Sequence, residues 1–226
     1  MQNNKVVKKR KKINYTKLLL IFLFLCVLCY FVFFIITKPI SNIYIYNNVY
    51  LSDQKIIDIS NIRNYPSFLL TSKNKIKKQL LKKPLVYNVE VKKKFFGEIH
   101  ITVEENKPLF YNENTNQTIL SNGKKVDDKF KVPILTNEIS YDIEYKLINK
   151  MKNLCDTTLL KMSEIKYSPN EIDKERMFIT MTDGNYVYLT LYTFEKIDNY
   201  NKVLPSLGGK KGILYFDSGN FFEILN

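Results

Sequence analysis

Histidine, cysteine and paired carboxylates are the groups in this sequence that could carry chemistry, and each is poorly placed for it. His100 is the only histidine. A zinc site built from several imidazoles is therefore excluded, and His100 with the isolated Cys155 gives no metal-ligand spacing. Cys26 and Cys29 have the C-x-x-C spacing of redox and zinc motifs. They fall inside an apolar run, however, where the polar, accessible setting of such a site is lacking. Glu104–Glu105 and Asp127–Asp128 are adjacent acids, and neighbours on a strand point to opposite faces. No G-x-S-x-G, P-loop or glycine-rich nucleotide fingerprint is present. Only a carboxylate pair assembled from distant positions would escape this inventory. The residues predict no catalytic site, no cofactor, no metal and no small-molecule substrate.

Charge points away from nucleic acid as well. The chain has 226 residues and a net charge of +13, and eight of its 35 basic residues lie in residues 1–38, where there is no acid. Beyond them bases and acids are interspersed, as on a solvated face rather than a nucleic-acid footprint. The sequence has no Ala and no Trp, and is rich in Lys and Asn. That composition matches an AT-biased coding sequence better than any folding requirement.

The basic segment abuts the strongest signal in the chain. Leu18 to Ile36 is nineteen residues without a charge, LLLIFLFLCVLCYFVFFII, between Lys17 and Lys38. As a helix it would span roughly 28 Å, close to the hydrocarbon thickness of a bilayer. A cleaved signal would have a shorter apolar region and a small-residue cleavage site. The TKPISNIYIY that follows offers none, so residues 18–36 are expected to be an uncleaved anchor in the lipid bilayer. The basic bias puts residues 1–17 in the cytoplasm and everything after the span outside the cell membrane. With Cys155 alone in the external part, no disulfide can form within it, and its stability must come from a hydrophobic core.

The elements after the anchor follow from periodicity. ISNIYIYNN reads as a strand ending in an Asn-Asn turn. Ser52 can cap a short helix that turns Ile56, Ile57 and Ile59 inward. A second amphipathic helix in TSKNKIKKQLLKKP places Ile76, Leu80 and Leu81 on one face and ends before Pro84. Two strands follow, with Tyr87, Val89 and Val91 inward in the first and Ile99, Ile101 and Val103 inward in the second. His100 then lies on the polar face. The order is β-α-α-β-β.

That order, directly after a single anchor, resembles the POTRA domain of the bacterial cell-division family FtsQ/DivIB. The stretches that carry the resemblance are IYIYNNVYLSDQKI, KKQLLKKPLVYNVEV and EIHITVEENKPLFY, the last running into a Glu-Glu-x-x-Pro exit. It extends to residue 226. SNGKKVDD resembles the hairpin opening the family's β domain, and a strand with Val132, Pro133 and Ile134 follows. Residues 140–156 are expected to form a helix with Ile143, Leu147, Met151 and Leu154 on one face. MFITM and YVYLTLY flank the Asp183-Gly184-Asn185 turn. A second helix over 194–204 carries Phe194, Ile197 and Val203 before Pro205. GILYF and FFEIL enclose the turn 217–220 and resemble the family's final hairpin; relatives with extended tails continue beyond such a strand.

The expected class is therefore α+β: a transmembrane helix, a POTRA domain over 39–110, and a mixed β-rich domain with two helices over 111–226. The resemblance implies a bitopic divisome scaffold, without enzymatic activity, at the division septum. It would hold FtsL and FtsB/DivIC-type partners and so regulate septal peptidoglycan synthesis. By the same resemblance, Phe216, Ser218, Gly219, Phe221 and Phe222 form the surface that pairs with a partner strand. Phe216 stands where many relatives carry Tyr, which removes any hydroxyl-dependent contact there. Alternation demands that half the rings of this hairpin face a core instead. Other readings are a membrane-anchored extracytoplasmic adaptor unrelated to division, a POTRA-type polypeptide-binding module, and an envelope enzyme with a degenerate site.

Overall fold

The computed structural model describes residues 14–225, so most of the basic segment lies outside the described residues. It opens with α1, Tyr15–Thr37, a 23-residue helix with no buried residue. It is long and apolar enough to cross a membrane. A helix apolar on every side and buried on none suits a membrane anchor.

Described by itself, the first compact unit comprises residues up to Leu80 together with Glu90–Thr102. Here β1 (Asn42–Tyr46) runs parallel to β3 (Glu98–Glu105), pairing Asn42 with Glu98 and Tyr46 with Thr102. In sheet order β3 lies between β1 and β2, Val86–Lys94. The helix α2, Asp53–Ile59, starts where the Ser52 hydroxyl accepts the Lys55 N–H, as its sequence predicts. The helix α3, Lys73–Leu80, buries Ile76 and Leu80, each worth about 1.5–3 kcal/mol when fully removed from water. Leu81, expected on that face, is exposed.

The alternation predicted for β3 holds: Ile99, Ile101 and Val103 are buried and His100 is not. In β2 it does not, because Tyr87 is exposed while Val86 and Val89 are buried. The Val86 N–H donates to the Lys83 carbonyl, so the strand leaves a turn at this point and regular alternation begins only at Val89.

The second unit, Leu81–Val89 with Val103 onward, is built on a nine-stranded sheet. Its strands are β4 (Pro108–Asn112), β5 (Gln117–Leu120), β6 (Lys125–Val126), β7 (Ile134–Leu135), β8 (Met162–Tyr167), β9 (Arg176–Met181), β10 (Tyr186–Thr190), β11 (Gly212–Tyr215) and β12 (Phe221–Ile224). The sheet order is β12-β11-β10-β9-β8-β7-β4-β5-β6. Parallel pairs β4–β7, β7–β8 and β10–β11 sit among antiparallel ones. A parallel pair needs a crossover, and two are helical. One is α4, Tyr141–Met151, capped by the Ser140 hydroxyl, followed by α5, Asp156–Leu159. The other runs through a 3₁₀ turn into α6, Tyr200–Val203, and out through a second 3₁₀ turn.

Both crossovers differ from expectation in the same way. The helix predicted over 140–156 ends at Met151, and Leu154 is buried from a loop after it. The helix predicted over 194–204 is one short α-turn between 3₁₀ segments, with Pro205 starting the second rather than stopping the first. The part expected to hold two helices thus contains three. The α+β class stands, with an apolar helix ahead of a POTRA domain and a β-rich domain. The core of the second unit is one cluster, with Leu147, Ile165, Ile179, Val187, Phe194 and Leu214 among its members.

Candidate partner-binding edge

The last hairpin gives the second unit an open side. Strand β12 is the terminal strand of its sheet, paired only with β11, from Gly212 opposite Ile224 to Tyr215 opposite Phe221. An edge strand presents free N–H and C=O groups along its outer side, a template for another strand. At the sheet's other end stands the two-residue β6.

Three sets of contacts hold the hairpin in place. The first is at its base. Asn185 is fully buried; its Oδ1 accepts the Gly212 N–H at 2.9 Å, and its Nδ2 donates to the Tyr200 hydroxyl at 2.9 Å. That hydroxyl in turn donates to the Asp183 carboxylate at 2.7 Å. Burial and the Asp183 hydrogen bond push the Tyr200 phenol well above its ordinary value, so it stays a donor at any physiological pH. The D-G-N turn is thereby tied to α6 and to the start of β11.

The second set is at the tip. Arg176, at the start of β9, bonds the Asp217 carboxylate at 2.7 Å and lies 3.6 Å over the Tyr188 ring. Lys196 reaches the Phe216 carbonyl at 3.3 Å and Asn220 Oδ1 at 3.4 Å. Asn220 and Gly219 both take positive φ, which the tight turn requires.

The third is steric. A Cβ on Gly212 would fall 2.0 Å from the Glu223 carbonyl oxygen and 2.6 Å from the Phe222 ring. Only glycine lets β12 approach so closely.

Aromatic rings cover the face of the sheet away from the core. Phe178 stacks on Tyr186, Tyr188 on Tyr215, and Tyr215 on Phe221, the last with centroids 4.4 Å apart. The Tyr215 hydroxyl donates to Glu223 at 2.7 Å across the hairpin. Such cross-strand pairs stabilise a sheet and here order its outermost strand.

The structure separates the five residues assigned to this surface. Phe221 is 49% exposed, at the edge of the aromatic row, and Ser218 and Gly219 are exposed in the turn. Phe222 is half-buried and packs against the core from the opposite face. Phe216, the fifth, is 5% exposed and lies in the core, and its N–H donates to the Tyr188 carbonyl at 2.8 Å. It supports the hairpin from beneath. Arg176, Asp217 and Tyr188 were missed; only an arginine in a chain that otherwise prefers lysine marked any of them.

Among the groups considered for chemistry, His100 is held by its neighbours. His100 stacks on Tyr44, its Nδ1 is 3.1 Å from the Tyr46 hydroxyl, and its Nε2 is 3.2 Å from Glu98. Both ring nitrogens are occupied. Cys155 is exposed, and Asp127 accepts the Gln117 amide. Among the described residues no three His, Cys, Asp or Glu side chains are grouped to hold a metal ion.

Known proteins match this chain on both of its parts. The family model described as POTRA domain, FtsQ-type, matches residues 38–106. Cell division protein DivIB of Bacillus anthracis is 27% identical, over 98% of this chain and 88% of that protein. DivIB of Bacillus subtilis (strain 168) is 27% identical over 96% and 87%, respectively. The solved major extracytoplasmic domain of DivIB from Geobacillus stearothermophilus aligns at 23% identity with a TM-score of 0.39, covering 46% of this chain and 96% of that one. The resemblance to the FtsQ/DivIB family is borne out, and the likeness to DivIB extends along nearly the whole chain.

Proposed function

Given that likeness to cell-division proteins, we propose that this chain is a bitopic scaffold of the division machinery, with its N-terminus cytoplasmic and its folded parts outside the membrane. Residues 39–110 act as the POTRA domain and recruit the chain; residues 111–226 form the β domain that holds FtsL and FtsB/DivIC-type partners. It catalyses nothing itself, and regulates septal wall synthesis through the proteins it holds.

The observation that supports this reading most is the open side of β12. A partner segment adding as a strand gains backbone hydrogen bonds along Phe221–Ile224, and its side chains meet Phe221 on one face and Phe222 on the other. Ser218 and Gly219 leave the end of that edge uncluttered. Phe216 contributes by holding β11 against the core.

A fluorescent fusion on the N-terminus of the full chain tests the division role. Recruitment to mid-cell in constricting cells is expected. Even distribution around the envelope, in a fusion that complements loss of the protein, would remove the division reading. Co-purification of the full chain with a DivIC-type partner tests the edge. Phe221→Ala is expected to weaken the complex without lowering the yield of folded protein.

A further inference from the structure

The first unit carries an apolar, cation-fringed surface where α1 ends. The chain just after the helix is stitched to two loops. Ser67 Oγ donates to the Ile36 carbonyl, the Phe68 N–H to the Lys38 carbonyl at 2.9 Å, and the Ser41 N–H to the Gly97 carbonyl at 2.9 Å. Lys93 braces the first loop: its ammonium donates to the Phe68 and Thr71 carbonyls and lies 4.4 Å over the Phe68 ring. Loop 66–71 and the β2–β3 turn are therefore fixed beside the last turn of the helix. A shallow cleft lined by Ile35, Phe68, Leu69, Lys94, Phe95 and Phe96 runs between them.

What these loops display is out of place on a surface in water. Phe95 is 89% exposed, Phe96 86% and Leu70 73%. Phe96 is also held at φ 66°, a left-handed conformation strained for a bulky residue. Gly97 follows at φ 86°, and a Cβ there would meet Ser41 Oγ at 2.7 Å. The turn is shaped to carry two adjacent rings outward. Lys38 and Lys94 are exposed beside them, and Glu98, which also borders the cleft, is engaged by His100.

We propose that this turn and loop 66–71 dip into the bilayer that α1 crosses. Phe95, Phe96 and Leu70 enter the boundary between headgroups and acyl chains, and Lys38 and Lys94 meet lipid phosphates. Two observations select lipid as the occupant. The patch is continuous with the membrane span, because the bonds to Ile36 and Lys38 set it at the depth where the span ends. Its composition, apolar rings within a fringe of lysine, also suits an interface about 5–10 Å deep with anionic headgroups above it. The membrane thus grips the first unit at two places, and the unit cannot swing freely about residue 38. This rests on α1 spanning a bilayer and not on a role in division.

The chain contains no Trp, so Phe95→Trp and Phe96→Trp each install a single reporter at an exposed site that tolerates a large ring. Each full-length variant is reconstituted into phosphatidylcholine–phosphatidylglycerol vesicles. The expected result is blue-shifted emission, quenched by lipids brominated high on the acyl chain and shielded from aqueous acrylamide. Emission as in water, open to acrylamide and indifferent to bromolipid, would overturn the proposal. Shielding from acrylamide without bromolipid quenching would overturn it too, by assigning the patch to a second copy of the chain. Mid-cell recruitment plays no part in this assay, so the two readings fail separately.

Discussion

Arg176 and Asp217, 41 positions apart, form an ion pair 2.7 Å long that pins the turn of the last hairpin to the start of β9. Only 17% and 10% of their side chains are exposed, so water competes little for either charge. The arginine is also used as a flat surface, since its guanidinium lies over the Tyr188 ring. A lysine has neither the Nε–H donor nor the flat guanidinium that this bond and this stack use.

Removing one member leaves the other charge uncompensated in a mostly buried setting. Asp217→Ala is expected to destabilise the second unit by about 3 kcal/mol, read as a lower urea midpoint of the full chain in detergent. Arg176→Ala is expected to cost about as much, and Arg176→Lys in its place should recover only part of that loss. Full recovery would show that charge alone sets the pair's contribution.

Gly212→Ala tests the close approach of β12. The added methyl would sit on the Glu223 carbonyl and the Phe222 ring, so β12 must lift away from β11. Overpacking of this kind costs about 1–3 kcal/mol. Amide exchange at 221–224 should speed up while protection in β8 and β9 persists, and the partner complex should weaken. Unchanged exchange in β12 would mean that the backbone absorbs the methyl elsewhere.

Phe216 and Phe221 are expected to part company on truncation. Phe216→Ala removes a core ring and should cost about 3–5 kcal/mol of stability. Phe221→Ala loses a stack with Tyr215 but opens no cavity. It should leave the unfolding midpoint nearly unchanged and cost about 2 kcal/mol of partner affinity, as interface anchors do. Equal effects of the two on stability would contradict the different placement of their rings.

The base of the hairpin should respond to acid. Burial alone would raise the Asp183 carboxyl, but hydrogen bonds from Tyr200 and Asn185, with the charge of Lys211, outweigh it and hold the group below its ordinary 3.8. Its folded value is thus lower than its unfolded one. Its stabilisation is complete above 3.8 and is lost as pH falls through the lower folded value. The stability difference between the native chain and Asp183→Asn should therefore be constant from neutral pH down to the ordinary carboxylate range and shrink below it. A gap that widens in acid would reverse the sign of the shift.

How much of this was legible beforehand depended on how local the controlling contact is. Ser52 announced its cap, and strict alternation fixed Ile99, Ile101 and Val103, because each depends on near neighbours in the chain. The face of β11 was not legible. Alternation groups Gly212, Leu214 and Phe216 together, but which way that group points is set by β10, through the Gly212–Asn185 and Phe216–Tyr188 bonds. Tyr87 misled for a related reason, since a turn bond at Val86 delays the pleat. The Arg176–Asp217 pair spans three strands, β9 to β11, and left no periodic trace. Likewise, nothing in the spacing of the 140–156 segment showed that Leu154 reaches the core from a loop.

The parallel pairing of β10 with β11 has a consequence in time. The antiparallel partner of β10 is already in place when β10 emerges, but β11 comes only after the whole crossover through Tyr200, and β12 after that. A chain that folds from its N-terminal end thus forms its core strands before its outermost edge exists. Until Gly212 has found Asn185, the exposed rim is β10, whose inner face is Val187 and Leu189. A half-folded molecule would therefore offer a different strand from the finished one.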